Sequence, residues 1–142
     1  MKLLVSACLM GLCTRFDGES KANSQVLALA GGHSLIPVCP EQLGGLPTPR
    51  PASELRGGRV INRLGVDVTA AFVRGAEEAC QVYRLCGCEA AVLKLRSPSC
   101  GKGLVYDGSF SGTLTAGDGV FAALLKARGV AVYGEDETHL ME

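Results

Sequence analysis

A chain of 142 residues is most simply one domain, and it is long enough to bury a hydrophobic core without disulfide bonds. Its 14 basic and 14 acidic residues cancel and it contains no Trp, which disfavours general nucleic-acid binding and base stacking. No apolar run approaches the ~18 residues of a membrane span, so no membrane partner is expected. Seven cysteines are an odd number in a chain without a secretory signal, which predicts a reducing, cytoplasmic location.

Short apolar runs alternate with helix-forming segments along the chain. Strands are expected at residues 2–7, 33–38, 90–95 and 130–133. Helices are expected at residues 24–30, 67–87 and 119–128. The longest helix has Asp67 as its predicted cap, an apolar stripe that includes Phe72 and Ala76, and Gly87 at its end.

Two long segments are rich in Gly or Pro and are expected to be irregular loops. The first, residues 40–64, includes a possible small β element at 60–62, and the second is residues 101–117. Loops longer than ~12–15 residues are uncommon in compact domains and are usually functional or disordered. We expect the first loop to be functional because it directly follows Cys39, a possible ligand. The polar residues 135–142 are expected to be a loosely held tail.

Strands that alternate with helices are typical of βαβ units, which build a parallel sheet with right-handed crossovers. The predicted fold is therefore α/β, a three-layer Rossmann-like domain over residues 1–142 with a four-stranded parallel sheet in the order 2-1-3-4. This order places the carboxyl ends of strands 2, 1 and 3 side by side at one edge. Ligands of open α/β sheets bind at that edge, near the point where the strand order reverses.

One cysteine follows each of the three strands that meet at this edge. Cys8 follows the first strand, Cys39 the second and Cys100 the third. Cys100 lies in a turn between Pro98 and Gly101, which can expose backbone N–H groups beside the sulfur. Three thiolates without an obvious histidine partner suit soft metals. A cubane iron–sulfur cluster held in this way leaves one iron without a protein ligand, and that iron can act as a Lewis acid.

Four ordered motifs, spread over roughly residues 6–132, resemble those of the thiouracil desulfidase (TudS) family of small [4Fe-4S] desulfidases. The motifs are Ser6-Ala7-Cys8-Leu9-Met10-Gly11, Arg15-Phe16-Asp17-Gly18, Pro37-Val38-Cys39-Pro40-Glu41 with residues 44–50, and Ser97-Pro98-Ser99-Cys100-Gly101 with residues 106–110. The resemblance implies a non-redox desulfidase that hydrolyses thiouracil-type thiolated pyrimidines to uracil and sulfide. It also implies that Cys8, Cys39 and Cys100 hold a [4Fe-4S] cluster. Thr14 stands where related sequences often have a cysteine, and Cys13 lies one place earlier.

Hydrolysis of this kind needs a base for water and a proton donor for the ring. Glu41 lies two residues after an implied ligand and is expected to be the proton-transfer residue, with Ser99 as a second catalytic residue. Substrate binding is expected from Ser97, Asp17 and Arg50. Asp17 can equally shape a turn with Arg15. Arg50 is expected to form an ion pair with Glu54, either on the surface or across the loop that closes over the ligand.

Two other functions are compatible with the same residues. An iron–sulfur or zinc binding module for sulfur transfer or sensing would use the thiols without hydrolysis. A thiol enzyme with Cys100 as nucleophile would be active without metal. Cys80 is expected to be a buried core residue. Cys86 and Cys88 are either buried or have a redox or metal role, since their spacing is one residue short of C-x-x-C.

The expected partner is a small thiolated pyrimidine. Sulfur at position 2 or 4 is compatible with the sequence, as are a free base, a nucleoside or a nucleotide in tRNA. The zero net charge disfavours nucleic acid, although a local basic patch would suffice for it. The residues that could form such a patch are Arg50, Arg56, Arg59 and Arg63. A monomer and a dimer are both compatible with the sequence.

Overall fold

Eight strands and four α-helices make up the computed structural model, which describes residues 1–141. In chain order, the strands are β1 (Lys2–Ser6), β2 (Ser34–Val38), β3 (Ser53–Arg56), β4 (Arg59–Asn62), β5 (Ala90–Leu93), β6 (Leu104–Tyr106), β7 (Leu114–Ala116) and β8 (Val132–Gly134). The α-helices are α1 (Ser24–Ala28), α2 (Pro40–Leu43), α3 (Thr69–Leu85) and α4 (Val120–Ala127). Short 3-10 helices span Ala7–Met10, Leu29–Gly31 and Thr138–Met141. No helix within residues 1–141 is both long enough and apolar enough to cross a membrane.

The four predicted strands form one parallel sheet, as expected from the alternation of strands and helices. Its order is β2-β1-β5-β8, with Leu4 of β1 opposite Ile36 on one side and Ala91 on the other. The predicted order 2-1-3-4 assumed a chain of four strands, whereas the last two strands of this sheet are the fifth and eighth of the chain. The numbering differs because two antiparallel hairpins, β3-β4 and β6-β7, interrupt the chain between the sheet strands.

Hydrophobic side chains cover both faces of the sheet. Helices α3 and α4 pack on the face of Leu4, which contacts the same buried cluster as Ala76 and Phe121. Helix α1 and the last 3-10 helix pack on the opposite face, where Val26 and Met141 join Leu3. Full burial of a Leu or Phe side chain stabilises the fold by about 1.5–3 kcal/mol. Because both faces are covered by apolar side chains, the strand ends are the places left for polar chemistry.

Two glycines bring α2 directly against α3. A Cβ atom on Gly75 would lie 1.8 Å from the Pro40 carbonyl oxygen, and one on Gly44 would lie 2.0 Å from the Ala71 carbonyl oxygen. Glycine inside a helix costs up to ~1 kcal/mol relative to alanine, so this close contact, not helix propensity, explains Gly75. The contact fixes α2, which begins directly after Cys39.

The predicted end of α3 is confirmed, but its N-cap is Val68 and not the predicted Asp67, which lies one residue earlier. Asp67 Oδ1 accepts a hydrogen bond of 2.9 Å from the N–H group of Thr69, the first helical residue. Gly87 follows the end of the helix with a φ of 68°, the left-handed conformation that commonly terminates helices. Hydrogen bonds from Thr69, and then one from Arg59, hold the pKa of Asp67 at about 2, below its ordinary value of 3.8.

Both segments that were expected to be irregular contain a hairpin instead. Hairpin β3-β4 lies within residues 40–64, and the β element expected at 60–62 is confirmed as part of β4. Hairpin β6-β7 lies within residues 101–117. The two hairpins are joined by Glu54, because its Oε1 accepts hydrogen bonds of 3.0 Å from the N–H groups of Gly108 and Phe110. Strands of three or four residues are too short for the alternation of apolar and polar residues to reveal them.

The carboxyl-terminal residues are held against the sheet, so the prediction of a loose tail is wrong for residues 135–141. Thr138 and Met141 are buried, and His33 Nε2 lies 3.0 Å from the Met141 carbonyl oxygen. Glu137 Oε1 accepts a hydrogen bond of 2.9 Å from the N–H group of Gly134 in β8. The prediction for Glu142 lies outside the described residues.

Candidate functional site

A cavity of about 530 Å³ opens at the carboxyl edge of the parallel sheet. It is lined by the ends of β1, β2 and β5, by the turn at residues 14–16, and by residues of both hairpins. Six of the eight predicted site residues line it: Cys8, Cys39, Cys100, Glu41, Arg50 and Ser97. The fold therefore collects chemistry-bearing residues that are far apart in the sequence.

The thiols of Cys8 and Cys39 are held by different local structures. Cys8 lies in the 3-10 helix after β1, and its carbonyl oxygen accepts hydrogen bonds from the N–H groups of Gly11 and Lys21. Cys39 is the last residue before α2, and its sulfur lies 3.6 Å from the Thr14 carbonyl oxygen. The close packing of α2 on α3 thus also fixes the position of Cys39.

The turn that carries Cys100 is closed by Ser97. Ser97 Oγ accepts hydrogen bonds from the N–H groups of Ser99 at 3.1 Å and Cys100 at 3.0 Å. The Ser97 carbonyl oxygen accepts a third, of 2.8 Å, from Gly101. A Cβ atom on Gly119, just before α4, would lie 2.4 Å from the Ser99 carbonyl oxygen. This close approach lets the start of α4 fix the turn.

Burial and the neighbouring thiols both raise the pKa values at this site. Burial raises the pKa of Cys8 to about 11, an effect that Lys94 opposes and Cys39 increases. Burial also raises the pKa of Cys100, and a hydrogen bond from Ser6 opposes this shift. The thiols of Cys8 and Cys39 raise the Cys100 pKa further. Because burial disfavours the thiolates of Cys8 and Cys100, binding of a cationic centre would have to release their protons.

The donor set fits an iron–sulfur cluster better than a single ion. Cys8, Cys39 and Cys100 offer sulfur alone, and neither His33 nor His139 is among the described residues that line the cavity. Within residues 1–141, no three His, Cys, Asp or Glu side chains are arranged to hold one metal ion. A cubane cluster contains four irons and therefore binds thiolates that are spaced further apart than those around one ion. The three thiols and the cavity beside them are compatible with such a cluster.

Arg50 is buried beside the cavity and forms five hydrogen-bond contacts. The acceptors are Glu41 Oε1 (3.0 Å), the Pro47 carbonyl oxygen (3.2 Å), Thr48 Oγ1 (2.8 Å), the Thr14 carbonyl oxygen (2.8 Å) and Cys39 Sγ (3.9 Å). The expected ion pair between Arg50 and Glu54 is wrong. Arg50 pairs with Glu41 instead, because the Glu54 carboxylate is held by backbone N–H groups of the β6-β7 hairpin.

Ser99 and Asp17 lie outside the cavity lining. Ser99 is 1% exposed, and within residues 1–141 its Oγ has no hydrogen-bond partner. Asp17 Oδ1 accepts a hydrogen bond of 3.0 Å from the N–H group of Glu19, and Asp17 Oδ2 lies 3.5 Å from the Arg15 guanidinium. Asp17 therefore supports the turn from which Arg15 and Phe16 reach the cavity. Direct roles of Ser99 and Asp17 in the reaction stay predictions.

Three further lining residues had no predicted role at the site, although Phe110 belongs to the motif at residues 106–110. Lys94 directly follows β5, and its Nζ lies 3.5 Å from the Glu135 carboxylate. It could have been predicted at the site because, like Cys100, it follows the third strand of the sheet. Arg96 and Phe110 have φ angles of 68° and 54°, which are rare for residues other than Gly. No sequence signal indicates a left-handed Arg or Phe, so these two backbone conformations could not be predicted.

The four arginines of the possible basic patch have separate partners. Arg50 is buried, Arg56 Nη2 donates to the Gly108 carbonyl oxygen at 2.7 Å, Arg59 Nη2 lies 2.7 Å from Asp67 Oδ2, and the Arg63 guanidinium lies 5.2 Å from the Phe110 ring centroid. These contacts hold the hairpins and the start of α3 in place. Arg56, Arg59 and Arg63 are nevertheless exposed, so the basic patch stays a prediction.

The other cysteines lie away from the cavity. Cys80 and Cys88 are buried in the hydrophobic core, where burial raises the pKa of each. Cys86 is partly buried against the same core, and Cys13 is exposed. None of the seven cysteines, all within the described residues, forms a disulfide.

The sequence and the fold are similar to known proteins over nearly their whole length. Residues 3–137 match the family model of 2-thiouracil desulfurase. The chain is 37% identical over 145 residues to the uncharacterised protein YbbK of Bacillus subtilis, with 95% of this chain and 96% of that protein covered. A solved structure named [4Fe-4S]-dependent thiouracil desulfidase TudS matches with a TM-score of 0.90 and 46% identity. That match covers 99% of this chain and 96% of the solved one.

Proposed function

The chain belongs to the 2-thiouracil desulfurase family, and from this we propose that it hydrolyses thiouracil-type thiolated pyrimidines to uracil and sulfide. We propose that the reaction uses a [4Fe-4S] cluster held by Cys8, Cys39 and Cys100, since the similar solved structure is named for such a cluster. The observation that carries the proposal is the position of these thiols around one cavity that also contains Glu41.

When bound at three thiolates, such a cluster supplies an iron without a protein ligand, which is a Lewis acid for the substrate sulfur. In the overall reaction, a water oxygen forms the new bond to the ring carbon, the C–S bond breaks, and the sulfur leaves as sulfide. The protein must therefore remove a proton from water and supply one to the products.

Glu41 is suited to take the proton from water. Its Oε1 is occupied by Arg50 Nε, whereas within residues 1–141 no hydrogen bond reaches its Oε2. The side chain is 15% exposed, so the carboxylate reaches the cavity while most of it is shielded from solvent. The ion pair holds the carboxylate in one orientation, which keeps Oε2 available as the base.

Ser97 is better placed than Ser99 to hydrogen-bond the substrate. Ser97 lines the cavity, and its Oγ already accepts two backbone N–H groups, which leaves its own proton for donation. Ser99 is buried outside the lining, so we propose that it supports the Cys100 turn. Asp17 would act on substrate indirectly, through Arg15 and Phe16.

Residues 1–142 would act as one three-layer, Rossmann-like domain, with a small molecule as its partner. The match of residues 3–137 to one family model supports treating them as a single domain. Seven cysteines without a disulfide support a reducing compartment such as the cytoplasm. A Cys100 nucleophile is disfavoured, because burial raises its pKa and lowers its thiolate fraction.

The test is anaerobic reconstitution followed by incubation with 2-thiouracil or 4-thiouracil. We expect uracil and sulfide to appear in equal amounts and only in the reconstituted protein. Equal activity in metal-free protein would contradict the proposal and favour a thiol enzyme. Full cluster loading without uracil would instead indicate a binding module.

A further inference from the structure

Resting on the proposed function, we infer that Arg50 is a positioning residue, which fixes Glu41 and the Cys39 sulfur and does not bind the substrate. A guanidinium has five N–H donors. Arg50 makes five hydrogen-bond contacts to the protein, one through Nε and two through each terminal nitrogen. The residue is 8% exposed, so a substrate would have to displace an existing partner to reach it.

The first group that Arg50 positions is Glu41. The Nε–H group donates to Glu41 Oε1 at 3.0 Å, and the Arg50 side chain is 3% exposed in this ion pair. A charge-assisted hydrogen bond in such a shielded place is stronger and more directional than one in water. Loss of this contact would let the carboxylate rotate away from the water that it is proposed to deprotonate.

The second group is the Cys39 sulfur. Arg50 Nη2 lies 3.9 Å from Cys39 Sγ and donates at 2.8 Å to the Thr14 carbonyl oxygen, which itself contacts this sulfur at 3.6 Å. Hydrogen bonds to a ligand sulfur adjust the electron density and the reduction potential of an iron–sulfur cluster. Arg50 is thus the one described side chain that contacts both Glu41 and Cys39 Sγ through hydrogen bonds.

The shape of the guanidinium matters for this double contact. The N–H groups of the planar guanidinium donate hydrogen bonds in three directions. Their acceptors lie at the start of α2, in the turn at Thr14 and in the loop at Pro47 and Thr48. Lysine carries the same charge on a single ammonium group and cannot reproduce this geometry. We therefore expect Arg50→Lys to keep the fold and to restore only part of the function.

The experiment compares Arg50→Gln and Arg50→Lys with Arg74→Gln, which removes an exposed arginine on α3. Each protein is reconstituted anaerobically, and its cluster absorbance, cluster midpoint potential, kcat and KM for thiouracil are measured. We expect Arg50→Gln to lower kcat by about 10–100-fold and to leave KM within about twofold. We also expect a shifted midpoint potential in both Arg50 variants and wild-type values for Arg74→Gln.

A double-mutant cycle with Glu41→Gln separates positioning from substrate contact. If Arg50 acts through Glu41, Arg50→Gln costs much less in the Glu41→Gln background than in the wild type. A rise in KM of about tenfold or more, with an unchanged midpoint potential and additive losses, would show that Arg50 binds the substrate. If Arg50→Gln does not fold, the same readouts on Arg50→Lys decide the question.

The potential measurement needs no turnover, so it also separates this inference from the proposed function. A wild-type protein that holds the cluster but releases no uracil would end the proposed function. Even then, a cluster midpoint potential that differs between Arg50→Lys and the wild type would support the contact between Arg50 and Cys39. An unchanged midpoint potential would overturn the inference about Arg50.

Discussion

The two ends of the parallel sheet both carry cysteines, and their surroundings differ. At the carboxyl end, Cys8, Cys39 and Cys100 line one cavity together with Glu41 and several cationic side chains. At the amino end, Cys88 lies just before β5 and packs into the hydrophobic core of α3 and α4. Burial raises thiol pKa values at both ends, so the pKa alone does not separate them. The comparison shows that the cavity and its polar residues distinguish the carboxyl end of the sheet, whereas the presence of thiols does not.

The largest effect that follows from this comparison is expected for Glu41→Gln. The variant keeps the shape of the side chain and an acceptor for Arg50 but removes the proposed base. We expect kcat to fall by about 100-fold or more while the cluster absorbance is retained. The control is Glu78→Gln, which changes an exposed carboxylate on α3. Full activity of Glu41→Gln would remove Glu41 from the mechanism.

The next effect comes from the contact that places Cys39. In Gly75→Ala the new methyl group would meet the Pro40 carbonyl oxygen at 1.8 Å, so α2 must move away from α3. We expect a loss of about 1–3 kcal/mol in the free energy of unfolding and a lower cluster content. Denaturant titration and iron analysis measure the two effects. Gly31→Ala is the matched control, because its Cβ atom would meet nothing within 4 Å; equal behaviour of both variants would contradict the role of this contact.

A smaller effect is expected at the roof of the cavity, by which we mean the lining residues Glu54 and Phe110 of the two hairpins. Glu54→Ala leaves the N–H groups of Gly108 and Phe110 without their carboxylate acceptor, which loosens the hairpin that carries Phe110 over the cavity. We expect KM for thiouracil to rise by about tenfold, equivalent to about 1.4 kcal/mol, with little change in kcat. Glu54→Gln keeps an acceptor and should restore most of the affinity. An unchanged KM in Glu54→Ala would show that the roof does not contact the substrate.

The smallest effect is expected at Asp67, just before α3 and outside both sheet ends. The pKa of Asp67 in the folded protein is about 2, below the ordinary value of 3.8. The Asp67 carboxylate therefore stabilises the fold above pH 4, and this contribution is lost as the pH falls towards 2. An Asn side-chain oxygen can accept the same hydrogen bond from Thr69, so Asp67→Asn should have similar stability at neutral pH but a flatter stability profile between pH 4 and 2. Thermal unfolding across this pH range measures the difference, and parallel profiles would contradict the assignment.

The sheet and the positions of the thiols could be predicted from the sequence because both follow local patterns. Apolar runs such as Leu3-Leu4-Val5 mark buried strands, and the topology of βαβ units brings their ends together. The end of α3 at Gly87 also depends on neighbours in sequence. These features need no knowledge of distant contacts.

The features that were missed depend on contacts between distant segments. The partner of Arg50 could not be inferred, because Glu54 is closer to it in sequence than Glu41. The Glu54 carboxylate is instead held by N–H groups of the distant β6-β7 hairpin. The tail was expected to be loose, yet the Met141 carbonyl oxygen contacts His33, which lies just before β2. The short strands of the hairpins are likewise stabilised by each other and not by a strong local pattern.

The most direct test of the account is iron and acid-labile sulfide analysis of anaerobically reconstituted protein. We expect about four irons and four sulfides per chain in the wild type and in Cys80→Ala and Cys88→Ala. We expect Cys8→Ala, Cys39→Ala and Cys100→Ala each to lose most of both elements and the visible absorbance. Wild-type iron and sulfide content in any of these three variants, or its loss in Cys88→Ala, would contradict the account.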